Sequence, residues 1–170
     1  MDDIEVFRGN HTNMNWQEVC DDQHLQDLPY KVELNRFGQV VMSPASNEHG
    51  YFQTEIAGEL RNMKSSGRVI TECSVETSEG TKVADVSWGS AEFIDSHGMA
   101  TPFPQAPEIC VEIVSPSNTK EELELKSGLY FEAGAKEVWF CSSLGTIEFR
   151  KGLQTIESSE LFPEFPQRVG

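Results

Sequence analysis

Apolar and polar positions alternate along this chain with two different periods, and the changes of period mark out its elements. Phe52, Ile56, Leu60 and Met63 recur at helical spacing. Asn47 with Glu48 opens that helix, and the stretch Ser65, Ser66, Gly67 stops it. A shorter helix is predicted from Trp16 to Leu25. Two strands, Tyr30 to Asn35 and Gln39 to Met42, flank a turn at Phe37 and Gly38 and read as a hairpin, with Ser43 and Pro44 ending the second. Arg68 to Glu76 and Lys82 to Trp88 roughly alternate apolar with polar residues and form a second hairpin across Ser78 to Gly80. The segment Ile94 to Ala106, rich in Gly, Pro, Ser and His, reads as a loop.

Glu108 to Val114 is nearly continuous in apolar residues, the pattern of a central strand covered on both faces. Thr119 followed by Glu122 resembles a capping box for a helix running to about Ala133, with Gly134 as its stop. Lys136 to Ser142 is a further buried strand, and Thr146 to Lys151 is its hairpin partner across Leu144 and Gly145. Strand, helix, strand between Glu108 and Ser142 makes a crossover unit, so those strands run parallel while the flanking hairpins are antiparallel. The expectation is an α/β fold with a mixed central sheet flanked by helices and additional antiparallel hairpins. One domain spans residues 1–170, with 1–29 a helical N-terminal extension and 152–170 an irregular tail.

Composition narrows the partners. Thirteen Lys and Arg against 28 Asp and Glu leave a formal charge of −15, which opposes non-specific nucleic-acid binding because Lys and Arg supply most of that affinity. A local basic groove remains compatible with an acidic whole. Cys20, Cys73, Cys110 and Cys141 form no C-x-x-C pair and read as buried, reduced thiols, which suits a reducing cytoplasm. The acidic start at Met1, Asp2 and Asp3 is unlike a signal peptide, and no apolar run approaches the ~20 residues of a membrane helix. A cytoplasmic protein without membrane association is expected.

Three residues break the apolar pattern. Glu112 shares a strand face with Cys110 and Val114, where a carboxylate is costly to bury unless a metal, a cation or several hydrogen bonds compensate it. Lys126 lies near the middle of a helical stripe formed by Leu125, Leu129, Tyr130 and Ala133, and a lysine there either snorkels outward or has an anion partner. Asp85 stands in mid-strand, with Ala84, Val86 and Trp88 assigned to the other face. Two carboxylates on neighbouring strands are tolerable if one is protonated or a divalent cation lies between them. An oxygen-only set suits Mg²⁺ or Mn²⁺, and a lysine alongside would stabilise charge on a phosphate. A structural salt bridge for Glu112 and a solvent-facing position for Asp85 are the alternatives. His49 falls on the same helical stripe as Phe52 and Ile56, either as a hydrogen-bonded core residue or as a group orienting water or phosphate. His11, His24 and His97 are read as surface residues.

The runs Ala84-Asp-Val-Ser-Trp88, Pro107-Glu-Ile-Cys-Val-Glu-Ile-Val-Ser-Pro-Ser117, and Lys126 followed by Leu129 to Phe140 resemble the Uma-type (Uma-two) family of restriction-endonuclease-like proteins, within the PD-(D/E)xK nuclease superfamily. Val40 to Pro44, Glu48-His-Gly50, Gly67-Arg-Val69 and Phe162-Pro-Glu-Phe-Pro extend the likeness over most of the chain. The resemblance implies a restriction-endonuclease-like fold and a metal-dependent endonuclease acting on DNA. It makes Asp85, Glu112 and Lys126 catalytic, with His49 in a supporting part, and gives Asp85, Glu112 and the carbonyl of Ile113 as ligands of Mg²⁺ or Mn²⁺. The lysine is then displaced onto the helix, since Val114 stands at its usual place, and Ala84 replaces a usual proline. A homodimer is expected by analogy with nucleases that cut both strands. A non-catalytic module that keeps the fold for DNA or protein binding is the alternative.

Overall fold

The structure, a computed structural model, describes residues 13–170; His11 and the acidic start lie outside them. Helix α1 (Trp16–Asp21) begins at a capping box, in which Asn15 accepts the Glu18 N–H and the Glu18 carboxylate accepts the Asn15 N–H. A short 3-10 turn, Gln23–Leu25, leads into β1 (Tyr30–Leu34) and β2 (Val40–Pro44), an antiparallel hairpin. Helix α2 (Asn47–Met63) starts one residue after Ser46, whose hydroxyl accepts the His49 N–H. There follow β3 (Arg68–Thr77), β4 (Gly80–Gly89), α3 (Ala91–His97), β5 (Ile109–Ile113), α4 (Lys120–Glu132), β6 (Glu137–Cys141), β7 (Ile147–Lys151) and β8 (Gln154–Ile156). The capping box expected at Thr119 and Glu122 is present at the start of α4.

Strands β3 to β8 form one sheet in sequence order, with β5 and β6 parallel across α4 and every other neighbouring pair antiparallel. This is the mixed sheet that the crossover pattern predicts. The β1–β2 hairpin is a separate two-stranded sheet held against β4. Glu33 accepts the Val83 N–H at 2.7 Å, and Lys82 Nζ donates to the Leu34 carbonyl at 3.2 Å. Where the β3–β4 turn meets β1, Gly80 has φ 89°, and a Cβ there would lie 2.4 Å from the carbonyl oxygens of Leu34 and Asn35. Only glycine permits that approach.

The sheet separates two cores. On one face Phe52, Ile56 and Leu60 of α2 pack with Val111, Trp139 and Phe149, joined by Phe162, Phe165 and Val169 from the C-terminal segment. On the other, Tyr130 of α4 and Phe93 of α3 pack with Cys110, Val138 and Phe140. Among the described residues no helix is long and apolar enough to cross a membrane.

Several expectations need correction. The segment from Ile94 to Ala106 is not wholly loop, because α3 covers its first residues. The Ser90 hydroxyl accepts the Phe93 N–H, and Glu108 accepts both the N–H and the O–H of Ser90, so the cap is anchored from β5's approach. The C-terminal segment is not irregular throughout, since β8 pairs with β7. Leu125 is 60% exposed, and the buried stripe of α4 runs instead through Ser127, Leu129 and Tyr130. Cys20 is exposed, whereas Cys73, Cys110 and Cys141 are buried free thiols. Ala84 does not share a face with Val86 and Trp88: it packs into the second core and they into the first.

The C-terminal segment is docked by one buried acid. Glu137 accepts Trp139 Nε1–H at 2.8 Å, the Ser159 hydroxyl at 2.7 Å, and the backbone N–H groups of Glu160 and Leu161 at 2.8 and 3.1 Å. Glu137→Ala leaves these donors without an acceptor and should lower stability by on the order of 3 kcal/mol in urea denaturation. A change below about 1 kcal/mol would mean that docking of the segment is independent of this acid.

Candidate active site

The side chain of Asp85 is aimed by a break in the β3–β4 ladder. Residues pair continuously along these strands except that Glu72 and Asp85, which face each other in register, form no bridge. Glu72 has φ 51°, a left-handed conformation costing about 1–3 kcal/mol for a residue with a Cβ. In place of the missing ladder bonds, Gln53 Nε2 of α2 donates to the Asp85 carbonyl at 3.1 Å and to Glu72 Oε1 at 2.9 Å. The rotation shifts the alternation of both strands, which is why Ala84 and Val86 enter opposite cores.

At the same residue β4 leaves β5: their pairing runs from Trp88 with Ile109 to Val86 with Val111 and stops. Asp85 Oδ2 then accepts the backbone N–H of Ile113 at 2.7 Å, filling the ladder position that the departing strand gives up. Groups from both faces of the sheet meet at this divergence, where Asp85 and Glu112 are both buried. His49 reaches Asp85 Oδ1 from the α2 side at 3.1 Å, and Glu112, on the α4 side, accepts the Tyr130 hydroxyl at 2.7 Å.

Asp85, Glu112 and Lys126, the residues singled out in the sequence, converge here. Lys126 Nζ is 3.0 Å from Glu112 Oε1 and 2.8 Å from Glu33 Oε1. Lys31 Nζ lies 2.8 Å from Asp85 Oδ1 and 3.2 Å from Glu112 Oε2, so a single ammonium joins the two carboxylates. Glu33 is 3.9 Å from Lys31, closing a ring of Lys31, Glu112, Lys126 and Glu33 to which Asp85 is joined through Lys31. Ile113 contributes its backbone N–H to Asp85 and buries its side chain in the first core.

Burial and charge act against each other in this ring. For Lys31, burial alone favours the neutral amine, but Glu112, Asp85 and Glu33 outweigh it and hold the pKa well above the ordinary lysine range. Burial likewise pushes Asp85 upward, and Lys31 and His49 overcome it, leaving this carboxyl far below its ordinary value. Glu33 is lowered by Lys126 and Lys31 against burial. Glu112 goes the other way: burial dominates the pull of Lys126 and Lys31, and its pKa is raised. Two neighbouring carboxyls with pKa values driven apart are the arrangement by which one site holds a firm anion and a group able to carry a proton.

Toward a cation the ring offers oxygen, and Asp85 Oδ1 with Glu112 Oε2 face one shared point, a donor set suited to Mg²⁺ or Mn²⁺. Among the described residues no three His, Cys, Asp or Glu side chains converge as a ready cage. Lys31 and Glu33 escaped the sequence reading because Tyr30-Lys-Val-Glu-Leu34 alternates as a half-exposed strand does, with charge on the outer face. Tyr130, one turn after Lys126 on the same stripe, was detectable as a polar tip beside a buried acid. Gln53 and Glu72 carried no signal.

The Asp85 hydrogen bond raises the pKa of His49 above its ordinary value, against the effect of burial. A histidine raised on folding stabilises the native state fully below its unfolded pKa of about 6.5, and that contribution is lost as pH climbs through the higher folded value. NMR titration should therefore find His49 half-protonated above pH ~6.5, and Asp85→Asn should bring it down. Titration of His49 at or below the ordinary value in the native protein would refute the pairing.

Comparison with known proteins agrees with this architecture. No protein of curated function matches the chain. A solved structure described as "a putative nuclease belonging to DUF820" from Anabaena variabilis superposes with a TM-score of 0.63 at 18% identity, covering 74% of each chain, and shares the fold. The Uma2 family model, described as "Putative restriction endonuclease", matches residues 4–164. The chain belongs to the Uma2 family of restriction-endonuclease-like proteins.

Proposed function

We propose that this protein is a metal-dependent endonuclease that hydrolyses DNA phosphodiester bonds at the Asp85, Glu112 and Lys126 cluster. The observation that carries the reading is the meeting of two buried carboxylates and an amine, from three different elements, at the gap between β4 and β5. The nuclease description of the family supports the same reaction class.

Asp85, Glu112 and the Ile113 carbonyl would hold Mg²⁺ or Mn²⁺. Such an ion supplies charge neutralisation at phosphate and a water of lowered pKa. The protein's own groups do the rest. Asp85 is the firm anion of the site, oriented by the Ile113 N–H and by His49. Glu112, with its raised pKa, is able to take a proton from an incoming water. Lys126 sets a positive charge where a scissile phosphate gathers negative charge, and Glu33 keeps its ammonium aimed into the gap. Tyr130 fixes the orientation of Glu112.

An acidic chain needs local help to hold a polyanion. Arg61, Lys64 and Arg68 line one cleft at the far end of α2, roughly 18 Å along the helix from His49 at a rise of 1.5 Å per residue. A backbone passing the site along α2 meets those cations. Cutting both strands of a duplex calls for two copies of the site, so a homodimer is part of the reading, and sedimentation of the protein on duplex DNA tests it.

With Mg²⁺ or Mn²⁺, the purified protein should nick supercoiled plasmid, and Lys126→Ala should slow cleavage by about 10²–10³-fold. Cleavage that persists at the native rate in a folded Lys126→Ala protein would overturn the assignment.

A non-catalytic module for DNA or protein binding is the second reading. It is favoured by one observation: the carboxylates are already neutralised by Lys31 and Lys126. Calorimetry separates the two. The nuclease reading expects Mn²⁺ binding that Glu112→Gln abolishes, and the module expects none.

A further inference from the structure

We infer that Lys31 is a resident cation standing in the place of the divalent ion, so that metal binding at this site is an exchange in which the Lys31 ammonium leaves. The inference rests on the metal-site reading above and adds its control. Asp85 Oδ1 and Glu112 Oε2, the two oxygens that an ion between these carboxylates must take, are both occupied by Lys31 Nζ, at 2.8 and 3.2 Å. An ion that takes both oxygens would displace the ammonium's contacts with them. The two cations compete for the same oxygens.

Charge leads to the same conclusion. Asp85, Glu112 and Glu33 are already paired with the ammonium groups of Lys31 and Lys126. A divalent ion added to this ring without loss of an ammonium leaves an excess of buried positive charge, which a buried site does not tolerate. Of the two lysines, Lys31 is the one that contacts both Asp85 Oδ1 and Glu112 Oε2, whereas Lys126 holds the other Glu112 oxygen and Glu33.

The displaced amine leaves the cluster past Glu33, whose Oε1 lies 3.9 Å from Lys31 Nζ on the same strand face and which is the most exposed of the three carboxylates. The lysine is borne by the separate β1–β2 hairpin rather than by the strands carrying Asp85 and Glu112, so its withdrawal leaves the six-stranded sheet intact. The occupant makes the site tolerable without metal and sets the ion concentration at which it loads.

Two measurements test this. In native protein, amine acetylation read by mass spectrometry should find Lys31 protected relative to exposed Lys120, and saturating Mg²⁺ should raise the Lys31 rate at least tenfold while leaving Lys120 unchanged. By calorimetry, Lys31→Met should bind Mn²⁺ at least tenfold more tightly than the native chain. If this variant does not fold, the acetylation result on native protein decides alone. Exchange of Lys31 without DNA cleavage sustains the inference and removes the nuclease assignment. Cleavage with Lys31 still protected, or Mn²⁺ binding no tighter in a folded Lys31→Met protein, overturns the inference and leaves the nuclease reading standing. Absence of ion binding in both native and variant protein overturns both.

Discussion

Two carboxylates placed beside each other in a sheet, out of contact with bulk water, are the constraint around which this protein is arranged. Neither Asp85 nor Glu112 would remain ionised there alone, because desolvation and their mutual repulsion both favour protonation. Lys31 resolves the conflict for Asp85 outright and for Glu112 only in part, and that asymmetry separates their proton affinities. The rest of the local structure follows from bringing the amines in. The β1–β2 hairpin is clamped on β4 through Glu33 and Lys82, and α4 delivers Lys126 and Tyr130 from the opposite side.

Legibility in the sequence depended on whether a residue violated its pattern. Glu112 and Lys126 were visible because each interrupts an apolar face, and violations of that kind require compensation. The ion pair expected as the alternative for Glu112 is present, and its partners are Lys31 and Lys126 of the candidate site. Lys31 and Glu33 violated nothing. A strand with charge on alternate positions is what a solvent-facing edge looks like, and only the docking of the hairpin over β4 turns that face inward.

The remaining gaps have similar causes. The left-handed residue at Glu72 could not be anticipated, because glutamate carries no preference for that conformation and its support comes from Gln53 on another element. Without it the alternation of β4 runs straight through Asp85 and puts Ala84 on the face of Val86 and Trp88. Helix α3 was hidden by the Gly- and Pro-rich stretch that follows it, its start being specified by Ser90 together with a distant Glu108. The parallel crossover and the two flanking hairpins were readable because each rests on neighbouring residues alone.

The departure of β4 from β5 at Asp85 carries a mechanical consequence. On either side of it, Val86 and Trp88 belong to one core and Ala84 to the other. Displacing β4 from β5 at this point therefore acts first on the ion pairs of Asp85 and Glu112 and on the Asp85–Ile113 hydrogen bond, and only afterwards on the apolar packing to either side.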